Sequence, residues 1–501
     1  MDHPAAAWGP ACGLQLANWP APPTGFPVDI DMFGTCSLPW PYVPAESSGG
    51  QQLVEHEHYY CSPVASQKLE ENSGGKQLVV DHNLQSRETT KIIVSNDSHA
   101  RGVLDQVRHE VVAIGPYHHH QPHLKKAEKV THMAAIQCVR ESGHLLEEVY
   151  GAVASAADDA RRLYDKDVMA GIGYDDFRHM MFFDARFLVQ YILMQTDSSK
   201  VDQSLANFFG PNRKDIRQDI TLLENQLPWK LVQIVMGFSP AATLTRDPFV
   251  RFLIIYKGFL QDQRPTEEAI SSAHGFTPDK HYRPPHLLGF LRHNSVGKIS
   301  DDMNTTEDTD TPITISISAM ELAEMGITLR ANISTTDLVV MGLQQEAGSL
   351  FAELSLVPLS LDHNRASYLV NMAALELCTV RNFIHVPDED SAVCSYLQLL
   401  AMLVHREEDV QELRARSILQ GGGGLTNEQA LSFFTSLQGQ RRGKLYRQIM
   451  IDIEGYKESR RMQTKLYSFF YNNRKTIAAG ATGISVVGGI IGAIMSIKGG
   501  L

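Results

Sequence analysis

"AIGPYHHHQPHLKKAEKV", Ala113 to Val130, is the stretch on which the reading of this chain turns. His118, His119 and His120 are consecutive, and His123 follows. They form either a metal site or the polar entrance to a helix. Adjacent side chains point in different directions, whereas a catalytic zinc site takes two ligands from one face of an element and a third from elsewhere. No HExxH accompanies them. The reading is therefore a Gly115-Pro116 turn feeding a helix, and no metal or cofactor is expected. Behind the turn, Leu124, Ala127, Val130, Ala134, Cys138, Leu145 and Val149 recur at helix-like intervals, as the buried face of a helix does.

Working outward, the same period dominates. "DDFRHMMFFDARFLVQYILM" reads as a more apolar helix, and "RKDIRQDITLLENQLPWKLVQIVMGF" as helix, break, helix, with Asn225 and Gln226 in the break and Pro228 able to start the second helix. Residues from about 260 to 312, with "RPPH" and "DDMNTTEDTDTP", read largely as loop. A small mixed region follows. "PITISIS" alternates Ile313, Ile315 and Ile317 as a strand does. "AMELAEMG" is a short helix stopped by Gly326, and "LFAELSLVPLSL" a strand interrupted at Pro358. Helices are expected again over roughly 365–383, 391–416, 427–438 and 442–473. Gly421 to Gly424 lacks the Lys-Ser/Thr of a phosphate loop and reads as a hinge. "HREED" at His405 reads as an exposed charge run.

The expected fold is mainly α: a large helical domain over 91–473 with a small mixed α/β region, a disordered tail over 1–90 and a transmembrane helix within 474–501. The tail assignment is compositional. The first fifty residues hold nine prolines, and Ser, Gln, Glu and Gly crowd the next forty. Trp8, Trp19 and Trp40 also sit there, compatible with a docking segment. The net charge of −12 excludes general nucleic-acid binding. Six scattered cysteines without a CxxC pair suit a reducing compartment, and the first residues lack the pattern of a secretory signal.

The strongest functional signal is Ile477 to Ile497, "IAAGATGISVVGGIIGAIMSI". These residues carry no charge, and as a helix they reach about 31 Å, enough for a bilayer core of about 30 Å. Ile477, Ile484, Val486, Val487, Ile490, Ile491, Ile494 and Ile497 supply its apolar bulk. Ala479 with Gly483, and Gly488 with Gly492, share the small-xxx-small spacing that lets membrane helices pair, a pattern that allows a homo-oligomer. Between Arg441 and Lys475 stand ten Lys/Arg against three acids, and the positive-inside rule places the body in the cytosol. The expectation is a single-pass anchor in lipid, at either the plasma membrane or an endomembrane. A GPI signal would need export. Asn96, Asn304 and Asn332 each begin an N-x-Ser/Thr sequon, silent in a cytosolic domain.

For chemistry, Asp184 in its apolar helix and Glu224 before Asn-Gln-Leu-Pro are the carboxylates with a prospect of burial. Such groups act as tuned acids, but equally cap helices or pair with arginines. Arg186 lies on another helical face from Asp184. No GxSxG appears, and no cysteine is singled out as reactive.

Several stretches together resemble the plant "domain of unknown function 247" family: "AIGPYHHHQPHLKKAEKVTHM", "FFDARFLVQYIL", "DITLLENQLPWKLVQIV", "PPHLLGFLR", "SAMELAEMGITL", "NMAALELC" and "VCSYLQLLAML", followed by the apolar segment. The resemblance covers about residues 95–500. Its motif positions here are Gly115, Pro116, Tyr117, His118, His119, Asp184, Glu224, Asn225, Gln226 and Pro228, read as structural. Two departures stand out. His120 replaces the Gly that usually follows the His pair, and Asp184-Ala185-Arg186-Phe187 stands where the family reads Asp-Gly-Cys-Phe, so no thiol chemistry carries over there. The resemblance implies a membrane-associated protein with no established enzymatic activity, and in some grass members a link to self-incompatibility. The expectation is a non-enzymatic, membrane-anchored interaction protein with protein partners and no nucleic acid. The alternatives are a self-incompatibility recognition component and a membrane-bound hydrolase built on His118–His123.

Overall fold

The computed structural model describes residues 111–459 except 120, 239–246, 264–265, 267–281, 299–315, 346–350, 384–385 and 421–423. The tail over 1–90, and the anchor and helix-pairing residues from Ile477 to Ile497, lie outside the described residues. All described residues fall in the unit Val79–Leu501.

Helices α1 (Lys125–Ser142), α2 (Leu146–Ala160), α3 (Tyr174–Thr196), α4 (Arg213–Asp219), α5 (Trp229–Gly237) and α6 (Asp247–Lys257) build the first half. A helix that is apolar on every face has to be covered on every side. In α3 every side chain from Phe177 to Met194 is buried except the half-buried Arg178, His179 and Phe183, and α1, α2, α5 and α6 all pack on it. The pattern from Leu124 to Val149 does not form one helix. Gly143 turns left-handed at φ 69° and closes α1, a conformation glycine adopts without cost. The register beyond it shifts, leaving Leu145 72% exposed.

The expected loop over 260–312 contains a helix, α7 (Leu287–Val296). His286 caps it, its ring nitrogen Nδ1 accepting the Gly289 N–H at 3.2 Å, and Pro284 and Pro285 stand just before it. Those prolines masked an apolar run that burial then made helical.

The mixed region begins with α8 (Ala319–Glu324), where Ser318 and Glu321 form a reciprocal capping box. Ser318 is thus a helix cap, and Ser316 to Ser318 are not a strand; Ile313 and Ile315 lie outside the described residues. Gly326 stops α8 at φ 84° as expected. Strands β1 (Ile327–Ala331), β2 (Gly342–Gln344) and β3 (Ala352–Leu356) form a sheet in the order β1-β3-β2. β3 runs parallel to β1, Ile327 facing Ala352, and antiparallel to β2. β3 alternates buried Ala352, Leu354 and Leu356 with half-buried neighbours. After Pro358, β4 (Leu359–Ser360) pairs with β5 (Leu419–Gln420). β1, β2 and β5 were not anticipated.

The second half holds α9 (His363–Thr379), α10 (Ala392–Leu403), α11 (Glu407–Ala415), α12 (Asn427–Ser436) and α13 (Lys444–Ser459). Every residue of α10 is buried. The helix expected over 391–416 is two, divided at Val404 to Arg406, and Asp409 of "HREED" is wholly buried rather than exposed. Its carboxylate accepts the backbone N–H groups of His405, Arg406 and Met320 at 3.1–3.2 Å. Of the expected hinge, Gly421 to Gly423 lie outside the described residues, whereas Gly424 is held in place: the Leu425 N–H donates to the Leu361 carbonyl at 2.9 Å, and a Cβ on Gly424 would collide with that oxygen. Among the described residues, no helix is long and apolar enough to cross a membrane.

Candidate functional site

The motif residues converge on a buried clasp. The irregular segment from Val111 to Gly115 has no helix or strand to satisfy its backbone, so buried side chains must do so. Asp219 Oδ2 accepts the Val111 and Val112 N–H groups, each at 2.8 Å. Asn225 accepts from the Ile114 N–H at 2.6 Å and donates to the Val112 carbonyl at 3.1 Å and the Asp219 carbonyl at 2.9 Å. Asp184 Oδ2 accepts the Gly115 N–H at 2.8 Å.

Gln226 works on the other side of the break between α4 and α5. Its amide donates to the Ile220 and Leu222 carbonyls and accepts the Leu288 N–H, all within 2.9 Å. Its own carbonyl takes the Tyr164 hydroxyl at 2.9 Å. Asn371 accepts the Leu223 N–H, and the Trp229 N–H reaches the Pro285 carbonyl, each at 2.8 Å. Asn and Gln suit this task because each carries donor and acceptor on one planar group. Gly115 sits at φ 77°, a conformation that strains any other residue, and an added Cβ would press on Gln226 O at 3.1 Å and Tyr164 Oη at 3.3 Å. Pro228 stands at the N-cap of α5, one residue before the first turn. Tyr117 meets Tyr164 with ring centroids 6.0 Å apart.

The histidines separate. His118 Nε2 lies 3.2 Å from Glu224 Oε2, in a partly buried pair. His119 turns to a cavity, His123 is exposed, and His120 is outside the described residues. Among the described residues, no three His, Cys, Asp or Glu side chains gather as a metal site would require.

The cavity, of about 360 Å³, opens between α1, α3 and the Gly171–Ile172 turn. His119 and Asp184 share it, whereas His118 and Glu224 do not line it. Asp184 is only 4% exposed, and burial pushes its carboxyl up to about 8; the Gly115 N–H opposes the rise and the Glu128 charge adds to it. Its other oxygen has no hydrogen-bond partner among the described residues. His132 Nδ1 lies 2.7 Å from the Glu128 carbonyl. A carbonyl only accepts, so that nitrogen carries the proton and Nε2 is left as an acceptor in the neutral ring. A carboxyl that titrates near neutrality beside imidazoles can move a proton or serve as a counter-ion.

Sequence reading missed Glu128, His132, Asp176 and His179 in this wall. Their signal was a polar stripe on each of two otherwise apolar helices: Glu128, Thr131 and His132 on α1, and Asp176, His179 and Asp184 on α3. Only the packing of α1 on α3 shows that the stripes face each other. Arg186 does not pair with Asp184. It is wholly buried on the apolar side of α3, over the Phe182 ring at 4.6 Å.

The family model of a plant protein of unknown function, DUF247, matches residues 105–487, which include the clasp, the cavity and the sheet. A UPF0481 protein of Arabidopsis thaliana is 21% identical over 349 residues, covering 66% of this chain and 68% of that protein. No solved structure matches. With its motif residues gathered in one clasp and most of its length matched, the chain belongs to the DUF247 family of plant proteins.

Proposed function

We propose that this chain is a membrane-anchored interaction protein, its helical body held at a bilayer through residues 477–497. The observation that carries the reading is the uncharged run of 21 residues there, preceded by a segment rich in Lys and Arg. The structure is compatible with such a tether. α13 buries Leu445, Tyr446, Ile449, Met450, Ile453 and Tyr456 and packs on α10, so the chain that leads toward the apolar segment is fastened to the body. The motif residues support a scaffold rather than turnover, because Asp184, Asn225 and Gln226 bond to backbone. Basic residues ahead of the apolar run favour a cytosolic body with protein partners, and Gly488 with Gly492 favours pairing between copies.

The test is to express the full chain and a version ending at Thr476, and to wash the membranes at high pH. Retention of the full chain and release of the shorter one is the expected result. Release of both would refute the anchor. A glycosidase-sensitive mass shift lost in Asn332→Gln would refute the cytosolic topology, because Asn332 lies on a partly exposed turn with Ser334.

A second reading, hydrolysis, draws on one observation: His119 and Asp184 share a cavity. It requires turnover of an ester or phosphoester that Asp184→Asn abolishes without lowering the melting temperature. No turnover of either class by the full chain would remove it.

A further inference from the structure

The cavity between α1 and α3 combines features that the proposed anchoring leaves unused. Three carboxylates, from Glu128, Asp176 and Asp184, line it, and among the described residues no Lys or Arg does. Asp184 is held deep in the wall with one oxygen engaged by Gly115 and the other without a partner among the described residues. Phe183 adds an aromatic ring to the lining, packed against His132 with ring centroids 4.0 Å apart, and Ile172 and Met180 add apolar surface. About 360 Å³ falls in the range of small-ligand sites.

A wall with three carboxylates and no described Lys or Arg is not built for an anion. An inorganic cation would need several ligands in close array, which the described residues do not offer. An ammonium group on an apolar body matches both halves of the wall: the carboxylates take the charge and the aromatic and apolar lining takes the body.

We propose that this cavity binds a small protonated amine with an apolar or aromatic body, Asp184 serving as counter-ion, Glu128 and Asp176 holding the polar side, and Phe183 carrying the body. Burial raises the Asp184 carboxyl to about 8, so the empty site holds a proton there near neutrality. An ammonium beside it favours the carboxylate, and binding expels that proton. Affinity therefore rises as the pH approaches about 8. His119, His132 and His179 also face the cavity.

The experiment titrates 2-phenylethylammonium into the full chain in detergent, following heat or melting temperature. The neutral isostere 2-phenylethanol and the anion phenylacetate are the controls. Gly171→Leu tests the place: a Cβ at Gly171 meets nothing within 4 Å, so a leucine there extends into open space at the cavity wall without straining the fold. Asp176→Asn tests the charge at an exposed position. The expected result is saturable binding of the amine, weaker by about tenfold or more for the alcohol and in Asp176→Asn, and lost in Gly171→Leu. Failure of the amine to saturate would overturn the proposal. So would equal binding of the alcohol or phenylacetate, or binding unchanged in both variants.

Discussion

Arg186 offers the sharpest test of the packing described above. Its guanidinium is fully buried, and none of its three nitrogens has a hydrogen-bond partner among the described residues. The Cys138 thiol beside it is a weak acceptor, and desolvation holds the arginine below its ordinary pKa range. Glu141, the nearby carboxylate on α1, is taken instead by the amides of Gln137 at 2.6 Å and Gln190 at 3.1 Å. What remains is the Phe182 face, 4.6 Å from the guanidinium carbon, a contact that contributes about 2 kcal/mol when desolvated. Burial of a charge without a partner costs several kcal/mol. An unbranched apolar side chain of comparable length retains most of the packing and avoids that cost. Arg186→Met is therefore expected to stabilise the protein by about 1–4 kcal/mol, a rise of about 2–8 °C at roughly 2 °C per kcal/mol for a body of this size. Thermal unfolding of the full chain in detergent, wild type beside variant, measures it. Truncation at a buried position ordinarily destabilises. A fall of more than about 1 kcal/mol in Arg186→Met would show that the guanidinium is satisfied and refute the reasoning.

Three further outcomes follow from the same physics. Asp184, raised to about 8, binds a proton in the folded state that the unfolded chain has released above about 4. It therefore lowers stability as pH rises between those values, and Asp184→Asn should flatten that decline in melting temperatures taken at several pH values; an unchanged slope would count against the burial argument. Glu376 holds Arg292 at 2.7 Å and accepts the Val393 and Cys394 N–H groups at the start of α10. Glu376→Gln strands the buried arginine and should cost about 3–5 kcal/mol in denaturant unfolding. Gly424→Ala should cost about 1–3 kcal/mol on the same assay, because its methyl meets the Leu361 carbonyl; a loss within 0.5 kcal/mol, roughly the scatter of neutral surface changes, would restore the hinge reading.

Legibility in the sequence tracked the range of the interactions involved. The periodic run of α3, the short helix closed by Gly326 and the split of β3 from β4 at Pro358 rest on local patterns and appear where expected. The run from Leu124 to Val149 misled because its period continues in sequence across Gly143 while the backbone turns there. α7 was hidden by its flanking prolines, and β1 and β2 are short strands whose order depends on pairing with β3. The clasp was legible as a set of residues, in "LLENQLP" and "IGPYHH", but not as a set of bonds.

By itself, the sequence determined the helical class, the family motif and the uncharged C-terminal run, because each is written in residue type and spacing along the chain. Tertiary structure alone decided that Asp184 meets Gly115, that Asn225 and Gln226 bind backbone from distant segments, and that two polar stripes close on one cavity. Burial and hydrogen-bond partnership belong to packed surfaces. They arise only when helices distant in the chain are brought face to face.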